Sequence, residues 1–153
     1  MIESFRGPFG NFSNFVPCKV ELWGRTYPSV EHAYQSAKNN GEEWKNFCQN
    51  TVNPGTIKRA SHNIQLIPNW NELRVPLMRN LVWQKFNKEP FKTLLLSTDN
   101  EHIQEGNWWN DTFWGVNLTT GIGENVLGQI LMEIRTFFQH GELDTYVVNS
   151  SSN

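Results

Sequence analysis

The chain has 153 residues, a length that fits one globular domain. Its formal charge of −2 argues against a large positively charged surface for binding duplex DNA. It contains no run of about 18 apolar residues, so no transmembrane helix is expected. The N-terminus lacks the charged and apolar regions of a secretion signal, and two cysteines without framework spacing fit a reducing cytosol. The sequence therefore predicts a cytoplasmic protein that does not contact a membrane.

Hydrophobic periodicity and turn residues predict an α+β fold in which helices form the majority. The first predicted elements are short strands and turns over residues 3–27, with a hairpin that turns at Gly24-Arg25. Helices follow from Ser29 to about 39–41, over 42–49, from Pro54, over 69–86 with a kink or a later start at Pro76, and from Pro90. Irregular structure is predicted over 99–124, and a last helix over 125–139 ends at His140-Gly141. We expect one compact domain over residues 1–142 and a flexible tail over 143–153.

Seven tryptophans are an unusual number for this length. Core packing accounts for some of them, because tryptophan buries a large area and needs a partner for its N–H group. Stacking on a base or sugar ring is the functional alternative. For Trp70, which lies at a predicted helix start, spacing alone favours the core.

The first predicted helix carries Glu31, Gln35 and Lys38 on one face, at i, i+4 and i+7. One interpretation is a solvated face, with Glu31 compensating the helix dipole in the first turn. The other is a carboxylate held near a ligand, with Lys38 or Gln35 supplying charge or hydrogen bonds. The residues alone leave both interpretations open.

The segment 110–128 combines two acids, two aromatic residues, four glycines and three asparagines, and it leads into an apolar helix. Asp111 fits either an Asx turn or a ligand-facing carboxylate. Gly121-x-Gly123-x-Asn125 fits either a plain turn or an anion site made of helix-end N–H groups. The four histidines are scattered and neither cysteine has a base beside it, so we expect no metal, no cofactor and no cysteine nucleophile.

Several motifs in order resemble the NADAR family of YbiA-like N-glycosidases, from about residue 5 to residue 138. The matching segments are Phe12-Ser13-Asn14-Phe15, residues 27–38 (YPSVEHAYQSAK), Asn69-Trp70, Met78-Arg79, Lys85-Phe86, residues 94–98 (LLLST), residues 110–115 (NDTFWG) and residues 123–135 (GENVLGQILMEIR). The chain departs from the family in the Trp108-Trp109 pair and in residues 116–120.

This resemblance implies a compact, mostly helical α+β fold and hydrolysis of N-glycosidic bonds to ribose. It matches the family's key glutamate and aspartate to Glu31 and Asp111. It matches pocket residues to Ser13, Asn14, Trp70, Trp114 and Asn125. Lys38 and the helix-end N–H groups near Gly123 are candidates to hold phosphate.

A carboxylate near C1′ suits this reaction, because cleavage of a ribosyl C–N bond builds positive charge on the sugar. We expect Glu31 and Asp111 to share charge stabilisation and water activation, in roles the sequence leaves open. The expected substrate is ADP-ribosylated guanine in DNA. The alternatives are a small phosphoribosylated intermediate of riboflavin synthesis, which the mild acidity favours, and a non-catalytic module that binds ADP-ribose or nucleotides.

Overall fold

The computed structural model describes residues 1–141, and they separate into two compact units. The central unit is Asn14–Lys85, and the terminal unit is Met1–Ser13 together with the residues from Phe86 onward. The tail predicted over 143–153 and the domain end predicted at 142 lie outside the described residues. No helix within 1–141 has both the length and the apolar character needed to cross a bilayer.

Helices predominate in the described residues, and the predicted α+β class is confirmed. The chain begins with a 3₁₀ segment at Gly7–Phe12, followed by strands β1 (Val20–Leu22) and β2 (Arg25–Tyr27). Next come helices α1 (Val30–Ser36), α2 (Glu42–Asn50) and α3 (Pro54–Ala60), a 3₁₀ turn at Ser61–Asn63, and helices α4 (Trp70–Phe86) and α5 (Phe91–Leu96). Strands β3 (Gly106–Asn107) and β4 (Val116–Asn117) precede the last helix, α6 (Val126–His140). The 3₁₀ segment occupies part of the region predicted to hold only strands and turns.

The predicted hairpin is confirmed in the central unit, where β1 pairs with β2 in antiparallel register. Its turn is Trp23-Gly24, one residue earlier than the predicted Gly24-Arg25, because Arg25 already pairs with Leu22. Trp23 and Gly24 both have positive φ, at 49° and 83°, as a two-residue turn that follows the strand twist requires. On the outer edge of β1, the Gln84 amide hydrogen-bonds both the N–H and the carbonyl of Glu21, each at 2.8 Å. A side chain of α4 therefore completes the backbone bonding of the strand.

Helix α1 begins as predicted, because the Ser29 hydroxyl accepts the backbone N–H of His32. It ends at Ser36, earlier than the predicted 39–41. Just beyond this end, the Asn39 side chain accepts the Gly41 N–H, a local bond that competes with helical backbone bonding. Every residue of α1 is buried.

Helix α4 starts at Trp70 and runs through Pro76, so the later start allowed for in the sequence is wrong. Proline has no N–H to give the carbonyl four residues earlier, which belongs to Glu72. Glu72 and Pro76 are both exposed, so water can satisfy that carbonyl. The helix tolerates the proline because it falls on a solvated face.

In the terminal unit, α6 confirms the prediction for 125–139, and Gly141 follows it with φ 70°, the usual left-handed helix end. The ring of Phe86 packs at 5.6 Å from that of Phe12 and at 6.0 Å from that of Phe91. The irregular structure predicted for 99–124 is wrong at β3 and β4, which pair in parallel. Two-residue strands carry no periodicity that a sequence pattern can reveal.

Lys85, the last residue of the central unit, is fully buried. Burial lowers the pKa of its ammonium group to about 7, and a weaker interaction with Cys18 opposes that change. The folded state thus favours the neutral amine, while an unfolded lysine keeps its proton to about pH 10.

We therefore expect stability to rise between about pH 7 and about pH 10, because the unfolded chain binds more protons than the folded one in that window. Urea unfolding across this range should show the rise in the wild type and a smaller rise in Lys85→Met. Substitution of the exposed Lys19 by Met serves as the control and should keep the wild-type slope. Parallel profiles for Lys85→Met and the wild type would contradict the prediction.

Candidate functional site

Glu31 lies in the first turn of α1 and is only 6% exposed. Its backbone N–H donates to the Asn14 carbonyl at 3.1 Å, and its Oε1 accepts from the Gln35 amide at 2.9 Å. Gln35 is 2% exposed, so the solvated-face interpretation is wrong for both residues. The helix N-terminus and the amide hold a negative group inside the central unit.

Lys38 extends from the end of α1 over two aromatic rings. Its Nζ lies 5.5 Å from the centroid of Tyr34 and 5.9 Å from that of Trp70. Burial lowers the pKa of Lys38, and the negative charge of Glu31 acts in the opposite direction. A cation, a carboxylate and two rings thus share this part of the central unit.

Trp70 is itself 6% exposed and packs against Tyr34, with ring centroids 5.2 Å apart at 57°. This contact gives Trp70 a core role, which the sequence favoured. Its role as a stacking wall for substrate stays a prediction.

Two buried acceptor atoms beside Glu31 have no partner among the described residues: Oε1 of Gln35 and Oδ1 of Asn14. The Asn14 amide nitrogen, by contrast, donates a hydrogen bond to the sulfur of Met78 at 3.5 Å. A buried acceptor without a donor costs about 1–3 kcal/mol. Both atoms therefore mark positions where a ligand hydroxyl or N–H group would be stabilising.

Asp111, in the terminal unit, forms the Asx turn that the sequence allowed. Its Oδ1 accepts the N–H groups of Phe113 and Trp114 at 3.1 and 3.0 Å. The Asn107 side chain holds the Asp111 backbone at both ends, donating to its carbonyl and accepting from its N–H. One carboxylate oxygen therefore shapes the loop, and a catalytic role for Asp111 stays a prediction.

The loop after Asp111 runs along the start of α6. The backbone N–H groups of residues 124–127 donate to the carbonyls of residues 112–115, at 2.7–3.2 Å. The prediction that helix-end N–H groups bind an anion is therefore wrong for these four. Gly123 has a packing role, since an added Cβ would lie 2.2 Å from the Gly115 carbonyl oxygen. Its contact with substrate stays a prediction.

Asn125 ties this loop region together through its side chain. Its Oδ1 accepts the Glu105 N–H, and its Nδ2 donates to the Ile103 carbonyl, both at 2.9 Å. Asn125 also has φ 55°, a left-handed conformation that asparagine tolerates. The side chain is thus engaged in structure, and substrate binding by Asn125 stays a prediction.

The remaining predicted pocket residues belong to the terminal unit. Trp114 is partly exposed and meets Phe113 edge to face at 4.9 Å. Ser13 ends the 3₁₀ segment, with its N–H on the Gly10 carbonyl. The structure thus brings Asn14, Glu31, Lys38 and Trp70 together in the central unit, and Asp111, Trp114, Gly123 and Asn125 together in the terminal unit.

Two residues of these groups were missed by the sequence reasoning. Tyr34 had a usable signal, since it stands four residues before Lys38, a spacing that puts both on one face of the longer helix predicted from the sequence. Asn107 is fully buried in β3, and nothing in its local sequence marks it as the residue that holds Asp111. Over residues 1–141, no three His, Cys, Asp or Glu side chains are grouped to hold a metal ion.

Comparison with known proteins gives four results. The NADAR domain family matches residues 3–139. N-glycosidase YbiA of Shigella boydii is 32% identical over 130 residues, 83% of this chain and 80% of that protein. A riboflavin biosynthesis protein of Vibrio vulnificus is 32% identical over 133 residues, 85% of this chain and 36% of that protein. The NMR structure of Escherichia coli YbiA has a TM-score of 0.78 at 28% identity, covering 94% of this chain and 89% of that chain.

The Asn125→Ala variant is expected to lose about 2 kcal/mol or more of unfolding free energy, because the buried Ile103 carbonyl and the half-buried Glu105 N–H both lose their partner. Urea unfolding measures the loss. Gln129→Ala, on the exposed face of the same helix, removes one bond to the Glu124 carbonyl and should cost far less. Wild-type stability with weakened substrate binding would instead make Asn125 a ligand contact.

Proposed function

The chain belongs to the NADAR domain family, and on that premise we propose that it removes ADP-ribose from ADP-ribosylated guanine in DNA. The reaction class has the firmest support, because this chain aligns with 80% of the length of relatives that are named N-glycosidases. The chain is therefore a hydrolase of N-glycosyl bonds. The observation that carries the proposal further is the buried Glu31 carboxylate beside Lys38 and two unpartnered acceptors.

In the proposed reaction, the bond between ribose C1′ and the base nitrogen breaks, water forms a new bond to C1′, and the base nitrogen takes up a proton. Positive charge develops on the sugar as the bond breaks. Glu31 is oriented by the Gln35 amide before substrate arrives, so its negative charge is in place without reorganisation. Asp111 remains proposed as the second carboxylate, acting through Oδ2 because Oδ1 serves the turn.

A second candidate is hydrolysis of a small phosphoribosylated intermediate of riboflavin synthesis. The name of the Vibrio vulnificus relative and the formal charge of −2 favour it. The two candidates share bond type and residues and differ in what is attached to the ribose and its base. The third alternative from the sequence, a non-catalytic binding module, does not fit a chain whose relatives are named N-glycosidases.

Product analysis separates the candidates. The wild-type protein is expected to release free ADP-ribose from an oligonucleotide carrying ADP-ribosylated guanine, detected by mass spectrometry of both products. The phosphoribosylated riboflavin precursor serves as the parallel substrate. Turnover of the precursor with no ADP-ribose release would replace the first candidate by the second.

Glu31→Gln is expected to lower kcat at least about a hundredfold, because it removes the charge that opposes the developing positive charge. Glutamine keeps an oxygen that can accept from Gln35, so the unfolding temperature should stay near wild type. Glu72→Gln, an exposed change in the first turn of α4, is the matched control and should keep wild-type turnover. Near-normal kcat in Glu31→Gln would remove this residue from the mechanism.

Asp111→Asn tests the second carboxylate separately from the turn. Asparagine retains an oxygen that can accept the N–H groups of Phe113 and Trp114, so the loop should survive while the charge is lost. We expect kcat to fall by at least about tenfold with little change in thermal stability. Full activity in this variant would leave Asp111 with its structural role alone.

A further inference from the structure

Within the terminal unit, side-chain hydrogen bonds lead from Glu105 through Asn107 to Asp111. The Asn107 Oδ1 accepts the Asp111 N–H at 3.0 Å, and the Asn107 Nδ2 donates to the Asp111 carbonyl at 2.9 Å. The same Nδ2 donates to Oε2 of Glu105 at 3.0 Å. Because an amide nitrogen carries two hydrogens, both of its bonds can be made at once. The Glu105 carboxylate is therefore connected to the backbone of Asp111 by one intervening side chain.

The Glu105 carboxylate stabilises one orientation of the Asn107 amide. An ionised carboxylate oxygen only accepts hydrogen bonds, so it requires the nitrogen end of the amide on its side. In the reversed orientation, the Asn107 oxygen would face two acceptors, the Glu105 carboxylate and the Asp111 carbonyl. Asn107 is fully buried, so bulk water does not replace a lost partner. Glu105 thus favours the orientation in which Asn107 can hold Asp111.

Glu105 is itself held in place by its neighbours. Its N–H donates to Oδ1 of Asn125, and its carbonyl accepts the N–H of Val116, each at 2.9 Å. Its carboxylate packs against Gly115, because a Cβ added there would lie 1.8 Å from the Glu105 Oε2. With both its backbone and its carboxylate confined, Glu105 offers Asn107 an acceptor at a fixed position.

The turn that carries Asp111 is connected to Glu105 at both ends. At the start of the turn, Asn107 links Asp111 to Glu105. Just past its end, Gly115 lies directly against the Glu105 carboxylate. Within the turn, Oδ1 of Asp111 accepts two backbone N–H groups. In the proposed reaction Asp111 acts through Oδ2, and the direction of that oxygen is set by the turn.

We propose that Glu105 is a positioning residue for Asp111 and acts on it through Asn107. Glu105 keeps the Asn107 amide oriented, Asn107 holds the Asp111 backbone, and the turn then directs Oδ2. This role rests on the proposed function of Asp111. A misplacement of about 1 Å can lower a rate about a hundredfold. If Asp111 acts only in the transition state, loss of its position lowers kcat and leaves KM nearly unchanged.

Kinetics of two Glu105 variants test this role, on whichever of the two candidate substrates the wild-type protein hydrolyses. We expect Glu105→Ala to lower kcat about tenfold at nearly unchanged KM, because the Asn107 amide loses the acceptor that orients it. Glutamine keeps an acceptor oxygen, so Glu105→Gln should retain most of the wild-type kcat. Glu124→Ala is the matched control, because it removes an exposed carboxylate from the same unit. It should turn over like the wild type.

A double-mutant cycle separates positioning of Asp111 from general damage to the fold. If Glu105 acts through Asp111, Glu105→Ala should lower kcat about tenfold in the wild-type background and much less in the Asp111→Asn background. Equal fold-losses in the two backgrounds overturn the role, as does wild-type kcat in Glu105→Ala with folding verified by circular dichroism. Full kcat in Asp111→Asn overturns it together with the catalytic role of Asp111, while hydrolysis itself stands.

Amide hydrogen exchange measured by NMR gives a second readout that does not depend on turnover. Glu105→Ala should speed exchange of the Asp111 amide about tenfold or more, whereas Glu105→Gln and Glu124→Ala should leave it near the wild-type rate. Unchanged exchange in Glu105→Ala overturns the role of Glu105 and does not affect the proposed function. Faster exchange in a protein that hydrolyses neither candidate substrate rejects the proposed function and supports Glu105 as the residue that holds Asp111 in place.

Discussion

The burial of α1 on all sides is the constraint on which the central unit depends. Four of its seven residues are polar or charged, namely Glu31, His32, Gln35 and Ser36, and buried polar groups require partners. His32 meets Ser29 and the Thr51 carbonyl, and Ser36 bonds back to the Ala33 carbonyl. Around the helix, Trp44 donates to the Gln35 carbonyl. The two side-chain acceptors that lack a partner among residues 1–141, Gln35 Oε1 and Asn14 Oδ1, lie beside Glu31.

The hydrogen-bond partners of the α1 side chains distinguish residues that support the helix from residues that can act on a ligand. His32 has both ring nitrogens engaged, so it holds the helix against the segment at Thr51 and offers no nitrogen for chemistry. Gln35 uses its amide nitrogen on Glu31 and keeps its oxygen unpartnered. The same helix is therefore held rigid through His32 and keeps one buried acceptor, the Gln35 oxygen, next to the Glu31 carboxylate, as a preorganised site requires.

Local signals in the sequence predicted local structure well. Ser29 as N-cap, Gly141 after α6 and the hairpin depend on residues a few positions apart, and the structure has each of them, with the hairpin turn one residue earlier than predicted. The resemblance to a family supplied the fold and the reaction class. Spacing alone placed the candidate residues Glu31 and Gln35 on one helix face, whereas Lys38 lies two residues beyond the end of α1.

The failures share a cause: they depend on partners distant in sequence or on backbone bonds that no pattern reveals. The N–H groups at the start of α6 were predicted to bind an anion, because the sequence does not show that they donate to the carbonyls of residues 112–115. Asn107 was missed because its partner Asp111 is recognised only once the loop is folded. Burial of Glu31 and Gln35 likewise depends on packing around α1, which their spacing does not report.

The two-point bond between Gln84 and Glu21 has a consequence beyond the fold of the hairpin. An open strand edge is a template on which another chain can add a strand, and aggregation begins in that way. Here a single amide satisfies the donor and the acceptor that Glu21 presents at the edge of β1. The Gln84 amide makes the two hydrogen bonds that a residue of a neighbouring strand would make, but it has no backbone edge to which another strand could pair. The hairpin is thereby closed to strand addition at Glu21, and self-association through that position is suppressed.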